Sequence, residues 1–197
     1  TNAITGVLGA WLDSIPMLII SGQVRYDNTA RWAEEQNGTR LRAMGDQEFD
    51  ITKSIDCMTK YSEMLTDPYR VRYALEKCIY LSQTGRPGPC WLDIPVDIQG
   101  KFIESDELIG FDPADYAAGG DGWEKENAHR IPADDDTSKR EAAVPPVDPQ
   151  QVQLILEKIR ASRRPIFYTG NGIRIAGAES LFLEVAHRLN IPVVVGW

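Results

Sequence analysis

TNAITGVLGAWLDSIPMLIIS, residues Thr1–Ser21, sets the fold class. Its apolar residues Ile4, Val7, Leu8, Trp11, Leu12 and Ile15 recur at the three- and four-residue spacing of a helix with one buried face. Thr1 and Asn2 suit the cap or first turn of that helix, where a short polar side chain can accept from an otherwise unpaired N–H. Pro16 lacks an N–H and stops the helix, and Met17–Ser21 is a continuous apolar run of strand length. A strand without polar alternation is one covered on both faces, as in a parallel sheet flanked by helices. The expected class is therefore α/β with a parallel sheet.

The same rhythm continues outward. After a polar stretch, Arg25–Asp46, the spacing suggests a helix over Phe49–Thr59 and predicts one over Tyr69–Gln83, with Val71, Leu75, Cys78 and Ile79 on one side. Thr84–Pro89 (TGRPGP) interleaves glycine and proline, freeing some torsions and fixing others, which turns the chain sharply into a buried strand at Cys90–Ile94. From 101 to 148 the periodicity lapses: Gly119-Gly120, Asp134-Asp135-Asp136 and Pro145-Pro146 read as an acidic linker between two domains. Asp148 and Pro149 then begin a helix, Gln150–Ala161, followed by a strand (Ile166–Thr169), a helix (Glu179–Leu189) and a strand (Ile191–Val195). The organisation expected is a domain over 1–100, a linker over 101–148 and a second α/β unit over 149–197. The abrupt helical start and the stop after a second strand read as cuts through a longer chain.

At 43% hydrophobic and 25% charged residues, the composition is that of a globular protein rather than a disordered one. Residues 101–148 hold 13 acidic and 5 basic side chains, a difference of −8 that equals the net charge of the whole chain, so the remainder is neutral. No basic stripe exists to neutralise phosphates, and nucleic acid is not an expected partner. No apolar run reaches the length of about 18 residues that a membrane helix needs, and no basic leader opens the sequence, so the cytoplasm is the expected location. Cys57, Cys78 and Cys90 form no C-x-x-C pair and are expected to be buried free thiols. His129 and His187 lie far from them and from each other, so no metal site is expected within this chain.

TNAITGVLGAWLDSIPMLIISGQV (Thr1–Val24), GDQEFDITKSIDCMTKY (Gly45–Tyr61) and TGRPGPCWLDIPVD (Thr84–Asp97) resemble, in the same order, three blocks of the pyrimidine-binding domain of the acetolactate synthase large-subunit family. RRPIFYTGNGIRIAGAESLFLEVAHRLNIPVVVGW (Arg163–Trp197) is similar to the start of that family's Rossmann-like middle domain. The resemblance implies a partial pyrimidine-binding domain followed by a partial middle domain, within a thiamine diphosphate-dependent decarboxylase or carboligase of 2-oxo acids. It implies thiamine diphosphate with Mg2+, whose metal site and activating Glu fall outside these residues. It further implies a homodimer or homotetramer with the active site between subunits, and a piece that is inactive alone.

Site residues follow from the same blocks. Asn2 stands where the family packs against the cofactor's aminopyrimidine ring, though a helix cap accounts for Asn equally well. Gln47 matches the family's Phe-Gln-Glu motif and is the catalytic, substrate-side candidate, since a neutral amide can donate to a 2-oxo acid without adding charge; the plain alternative is a surface glutamine. Gly170 and Gly172, between a strand and a helix, are placed to cradle a phosphate. Gly177 falls five residues after Gly172, outside the G-x-G-x-x-G pattern, and the resemblance admits FAD or a vestigial pocket there.

Two positions depart from the family: the Phe before Gln47 is Asp46, and the Lys of its Pro-Lys-Asp segment is Val96. An apolar wall becomes a carboxylate that repels an anionic substrate, and a cation is lost. Arg25, Arg31, Arg40 and Arg42, on a stretch longer than the family's loop, could supply replacement cations or simply be solvated. Gly120-Asp121-Gly122 is similar to the opening of a magnesium and diphosphate motif, but it follows no buried strand and reads as a turn. Two other classes are kept open: a nicotinamide-dependent oxidoreductase, from the strand–glycine–helix order of the second unit, and a non-catalytic scaffold or binding module that retains the fold.

Overall fold

Three parallel strands, β1 (Met17–Gln23), β2 (Tyr61–Met64) and β3 (Pro89–Pro95), make one sheet in the order β1-β3-β2, with the latest strand in the middle. Leu18 lies opposite Cys90 and Ser21 opposite Asp93 on one side of β3, and Tyr61 lies opposite Cys90 on the other. The computed structural model describes residues 2–120 and 146–196. The chain divides into two units, residues 1–141 and 142–197.

Residues of β3 alternate between two separate cores. Cys90 and Leu92 pack with Tyr61, Leu65, Ala74, Cys78, Leu81 and Ile98 on one face, and Trp91 packs with Val7, Ile51 and Ile55 on the other. Both faces are covered, so the strand has no polar alternation, and the α/β class with a parallel sheet is what the structure shows.

Helix α1 (Ile4–Asp13) covers the Trp91 face with Val7 but leaves much of its apolar surface outside: Leu8, Trp11 and Leu12 are exposed, Leu12 by 65%, as is Ile15 just beyond it. Its N-cap is Ala3, which makes no side-chain capping bond, and Asn2 is exposed, so the capping expected of Asn2 is not found. The stretch read as merely polar contains α2 (Ala30–Asn37), whose start is capped by the Thr29 hydroxyl accepting from Trp32 N at 3.1 Å. This helix buries only Ala33, which is why no apolar period announced it. Helix α3 (Ile51–Ile55) runs into a 3-10 turn, Asp56–Met58, and is shorter than the spacing suggests.

Helix α4 (Val71–Gln83) follows a 3-10 turn, Pro68–Arg70, that is capped by Asp67. It buries Tyr73, Ala74, Lys77, Cys78, Leu81 and Ser82, whereas Ile79, expected inside, is 49% exposed. The helix is rotated to admit a buried cation. Lys77 is 0% exposed, with its ammonium 4.5 Å from the Tyr61 ring centroid, 5.3 Å from Tyr116 and 5.7 Å from Tyr73. Beside it Arg70 Nε donates to Glu63 at 2.8 Å, and Glu63 also accepts from the Tyr61 hydroxyl. Burial alone would lower the Arg70 pKa, but the Glu63 carboxylate more than offsets it and the net shift is upward. Burial, reinforced by Glu63, holds the Tyr61 phenol protonated.

Helix α5 (Val96–Gln99) continues directly from β3. Beyond it, residues 101–120, expected as linker, carry a 3-10 turn, Ser105–Glu107, and a short helix, α6 (Pro113–Ala117). Phe111 sits 5.4 Å from the Tyr73 ring and 5.5 Å from both Tyr80 and Tyr116, and its N–H donates to Glu76 at 2.8 Å. This part of the acidic stretch is thus packed on α4. Gly122, His129 and Asp134-Asp135-Asp136 lie outside the described residues. Of the three thiols expected inside, Cys78 and Cys90 are buried and Cys57, in the surface turn after α3, is exposed.

The Thr84–Pro89 turn is a structural clasp. Lys60 Nζ donates to the carbonyls of Thr84 and Arg86, and Arg86 Nε reaches the Ser14 hydroxyl at the end of α1 at 2.7 Å. Gly85 sits there at φ 62°.

In the second unit α7 (Pro149–Ala161) is capped by Asp148 accepting from Gln150 N at 2.8 Å, as expected. It is followed by β4 (Phe167–Thr169), α8 (Gly172–Ile175), α9 (Glu179–Leu189) and β5 (Val193–Val195), and β4 pairs with β5 in parallel. Ala186 and Ile191 are its buried apolar residues among those described. No described helix is long and apolar enough to cross a membrane.

Gly85→Ala forces a Cβ into the left-handed region and is expected to cost about 1–2 kcal/mol in urea unfolding. Gly170→Ala is the control, because a Cβ there meets nothing within 4 Å and the backbone is not left-handed. Equal stabilities for the two variants would refute the strain.

Candidate functional site

In parallel α/β sheets ligands bind beyond the carboxyl ends of the strands. In the first unit that end is polar and tightly ordered. Asp93, near the end of β3, is 1% exposed and accepts from the Ser21 hydroxyl at 2.6 Å and from Gln23 Nε2 at 2.9 Å. Ser21 in turn accepts from the Trp91 indole N–H at 2.7 Å. Burial raises the Asp93 pKa, with help from the negative charge of Asp50, against the opposing hydrogen bonds of Ser21 and Gln23.

A second ionic cluster lies beside it. Arg31 chelates Asp50 through Nη2 at 2.9 Å and Nε at 3.2 Å, and also donates to Thr52 Oγ1 at 2.8 Å. Thr52 donates to Asp50 at 2.6 Å, and Lys53 Nζ is 3.6 Å away. Burial would raise the Asp50 pKa, but the Thr52 bond, Arg31 and Lys53 outweigh it and the pKa is lowered. Arg25 pairs with Asp27 at 2.8 Å and Arg40 with Glu34 at 2.9 Å, so three of the four arginines considered as replacement cations are held in ion pairs; Arg42 is exposed.

Gln47 is exposed on the loop next to this cluster, in the left-handed conformation at φ 60°. A non-glycine residue stays there only when its neighbours hold it. Glu48 accepts from Ala30 N at 2.7 Å, Met44 N at 2.5 Å and Gly45 N at 3.2 Å, tying the loop to the start of α2. On the other side, the Phe49 carbonyl accepts from Gln23 Nε2 at 2.8 Å. Asp46 is exposed, as is Val96, which directly follows Pro95, the register partner of Gln23. Asn2 precedes α1, which a three-residue connection returns against the sheet, so its start lies toward the same end of β1.

Gly170 and Gly172 belong to the second unit, at the end of β4 and the start of the four-residue α8. A Cβ at either would meet nothing within 4 Å, so the space over the turn is open. Among the described residues no group of three or more His, Cys, Asp or Glu is placed to hold a metal ion.

Sequence reasoning passed over Asp93, Gln23 and the Arg31–Asp50–Thr52 cluster. The available signal was Asp93 itself, a charged residue inside the buried run CWLDIP, which requires donors at its own level of the sheet.

No family model matches the chain. Along 98% of its length it is similar to acetolactate synthases: 28% identical over 195 residues to the acetolactate synthase of Arthrospira platensis, 27% of whose length is covered. It is 28% identical over 200 residues to the acetolactate synthase large subunit of Haemophilus influenzae and 29% over 194 residues to that of Corynebacterium glutamicum, covering 28% and 25% of those proteins. The chain thus spans about a quarter of the length of these relatives, and the likeness read from four blocks extends through the intervening residues.

The folded-state pKa of Asp50 lies below its unfolded value of about 3.9, so the fold binds fewer protons and gains stability above that pH. That gain disappears as pH falls through the lowered value. Arg31→Met is expected to cost about 2 kcal/mol at pH 7 and to move acid unfolding to higher pH, with the difference from the parent shrinking below pH of about 3.9. A constant difference across pH 2–7 in circular dichroism melts would be inconsistent with the Arg31–Asp50 pair as its source.

Proposed function

We propose that this chain is part of a thiamine diphosphate-dependent lyase/transferase of acetolactate synthase type, acting on a 2-oxo acid in the cytoplasm. In this reading 1–100 is the back part of a pyrimidine-binding domain, 101–148 connects, and 149–197 begins a middle domain. The similarity to acetolactate synthases over 98% of the chain carries the proposal. The substrate-side candidate Gln47 is supported by its position on an anchored loop at the ligand-binding end of a parallel sheet. A nicotinamide-dependent oxidoreductase would rest on the strand–glycine–helix order of the second unit alone and does not account for that similarity, which does not favour a scaffold either.

The donors at this end of the sheet suit a neutral heteroaromatic ring. Asn2 offers an uncharged amide, and Phe49 and Val96 offer exposed apolar surface, groups that can pack and hydrogen-bond an aminopyrimidine without a countercharge. Thiamine diphosphate held there would supply a carbon nucleophile for the chemistry of 2-oxo acids. In this proposal its diphosphate, Mg2+ and activating Glu are held by residues outside the chain.

Gln47 donates from its amide to an oxygen of the 2-oxo acid, orienting the carbonyl, and its fixed backbone means that little freedom is lost on binding. Arg31 is neutralised by its pair with Asp50 and offers no free cation at that end of the sheet, while the exposed Asp46 opposes an anion beside it. Specificity therefore turns on how the substrate lies relative to Asp46. In the second unit the open space over Gly170 and Gly172 would admit a phosphate of FAD, although α8, four residues long, aligns few N–H groups toward it. The exposed Leu8, Trp11 and Leu12 on α1, with Ile15 just beyond it, support a homodimer or homotetramer in which another surface covers them.

In the full-length protein, consumption of a 2-oxo acid is expected to require added thiamine diphosphate. Gln47→Ala is expected to raise KM for the 2-oxo acid about tenfold, the loss of one hydrogen bond to a charged group, with cofactor affinity unchanged. Turnover independent of thiamine diphosphate would reject the reading, and an unchanged KM would return Gln47 to the surface.

A further inference from the structure

We propose that Gln23 is a positioning residue, whose side-chain amide transmits the fixed geometry of the central strand to the loop that presents Gln47. The proposal rests on Gln47 as the substrate-side group in the preceding reading, but its geometry stands apart from that assignment. Gln23 is the last residue of β1 and all its amide functions are used. One hydrogen of Nε2 goes to Asp93 Oδ2 at 2.9 Å, the other to the Phe49 carbonyl at 2.8 Å, and Oε1 accepts from Val24 N at 3.0 Å. Turning the amide over would set its oxygen against two acceptors, so a single orientation satisfies the site.

The anchor is rigid at its inner end. Asp93 is buried in β3 and is held by Ser21, which is held by Trp91 in the core. At the outer end lies Phe49, two residues beyond Gln47. Because φ 60° is unfavourable for glutamine, the turn needs restraint on both sides. Glu48 restrains it toward α2 through the Ala30 N–H and closes the turn on itself through the Met44 and Gly45 N–H groups, and Gln23 restrains it toward the sheet. Without the Gln23 amide, the loop keeps its tie to α2 and loses this tie to the strand.

The test uses the full-length protein with Gln23→Met, which keeps the side-chain length and removes both donors. Amide hydrogen exchange over residues 44–50 is expected to accelerate about tenfold, for one lost restraint, while exchange in β1 and β3 stays at the parent rate. KM for the 2-oxo acid is expected to rise with thiamine diphosphate affinity unchanged. Arg40→Ala, which breaks an exposed pair elsewhere on the same stretch, is expected to change neither. Should Gln23→Met accelerate exchange throughout the sheet, Gln23→Asn carries the same test, its amide being one methylene too short to span Asp93 and Phe49 together. Unchanged exchange over 44–50 in the folded variant overturns the proposal whatever the activity. Faster exchange there, in a protein whose parent consumes no 2-oxo acid, supports the positioning and rejects only the reading of Gln47.

Discussion

A carboxylate at the end of a strand covered on both faces must find its donors at its own level of the sheet. Asp93 meets that constraint with a serine and a glutamine projecting from the neighbouring strand, two residues apart and so on one face. The parallel register supplies them, since Ser21 lies opposite Asp93. Slipping β1 by one residue would carry both donors to the other face and leave the charge buried without them. The polar groups therefore specify the pairing that the apolar core alone would leave looser.

The first unit also buries cations, and satisfies them differently. Lys77 lies among three tyrosine rings, and Arg70 combines a carboxylate at 2.8 Å with the Tyr73 face at 4.6 Å. One of those rings, Tyr116, comes from the acidic stretch, and Phe111 of the same stretch packs between Tyr73 and Tyr80. Aromatic rings and backbone hydrogen bonds to Glu76 and Arg72, rather than the acidic side chains of the stretch, attach residues 101–120 to α4. Composition concealed this, because acidic residues dominate the stretch while its two packed rings are single residues in sequence.

Much of the architecture was legible because it follows from backbone chemistry. Pro16 and the Asp148-Pro149 pair mark helix boundaries that the structure shares, and the apolar runs at Met17 and Cys90 became adjacent parallel strands. What escaped reading depended on tertiary partners. β2 has four residues, two of them polar, and is a strand because β3 lies beside it; α2 buries one alanine; Ile79, expected inside, faces out while Lys77 enters a cage assembled from three elements. At the candidate site, resemblance singled out Gln47, whereas its left-handed backbone and its anchors at Glu48 and Gln23 emerge only when residues 18–70 positions apart meet.

The second unit has a different material character. Its two strands are three residues each, and Val193, Val194 and Val195 are all exposed. Among the described residues each strand is paired on one side, so each presents a row of backbone donors and acceptors beside β-branched side chains. Such an edge is adhesive: it accepts any extended segment of matching direction. Additional strands of a larger sheet would quench it, whereas contact between the edges of separate molecules would propagate as aggregation. Solubility of this unit thus depends on what completes its sheet.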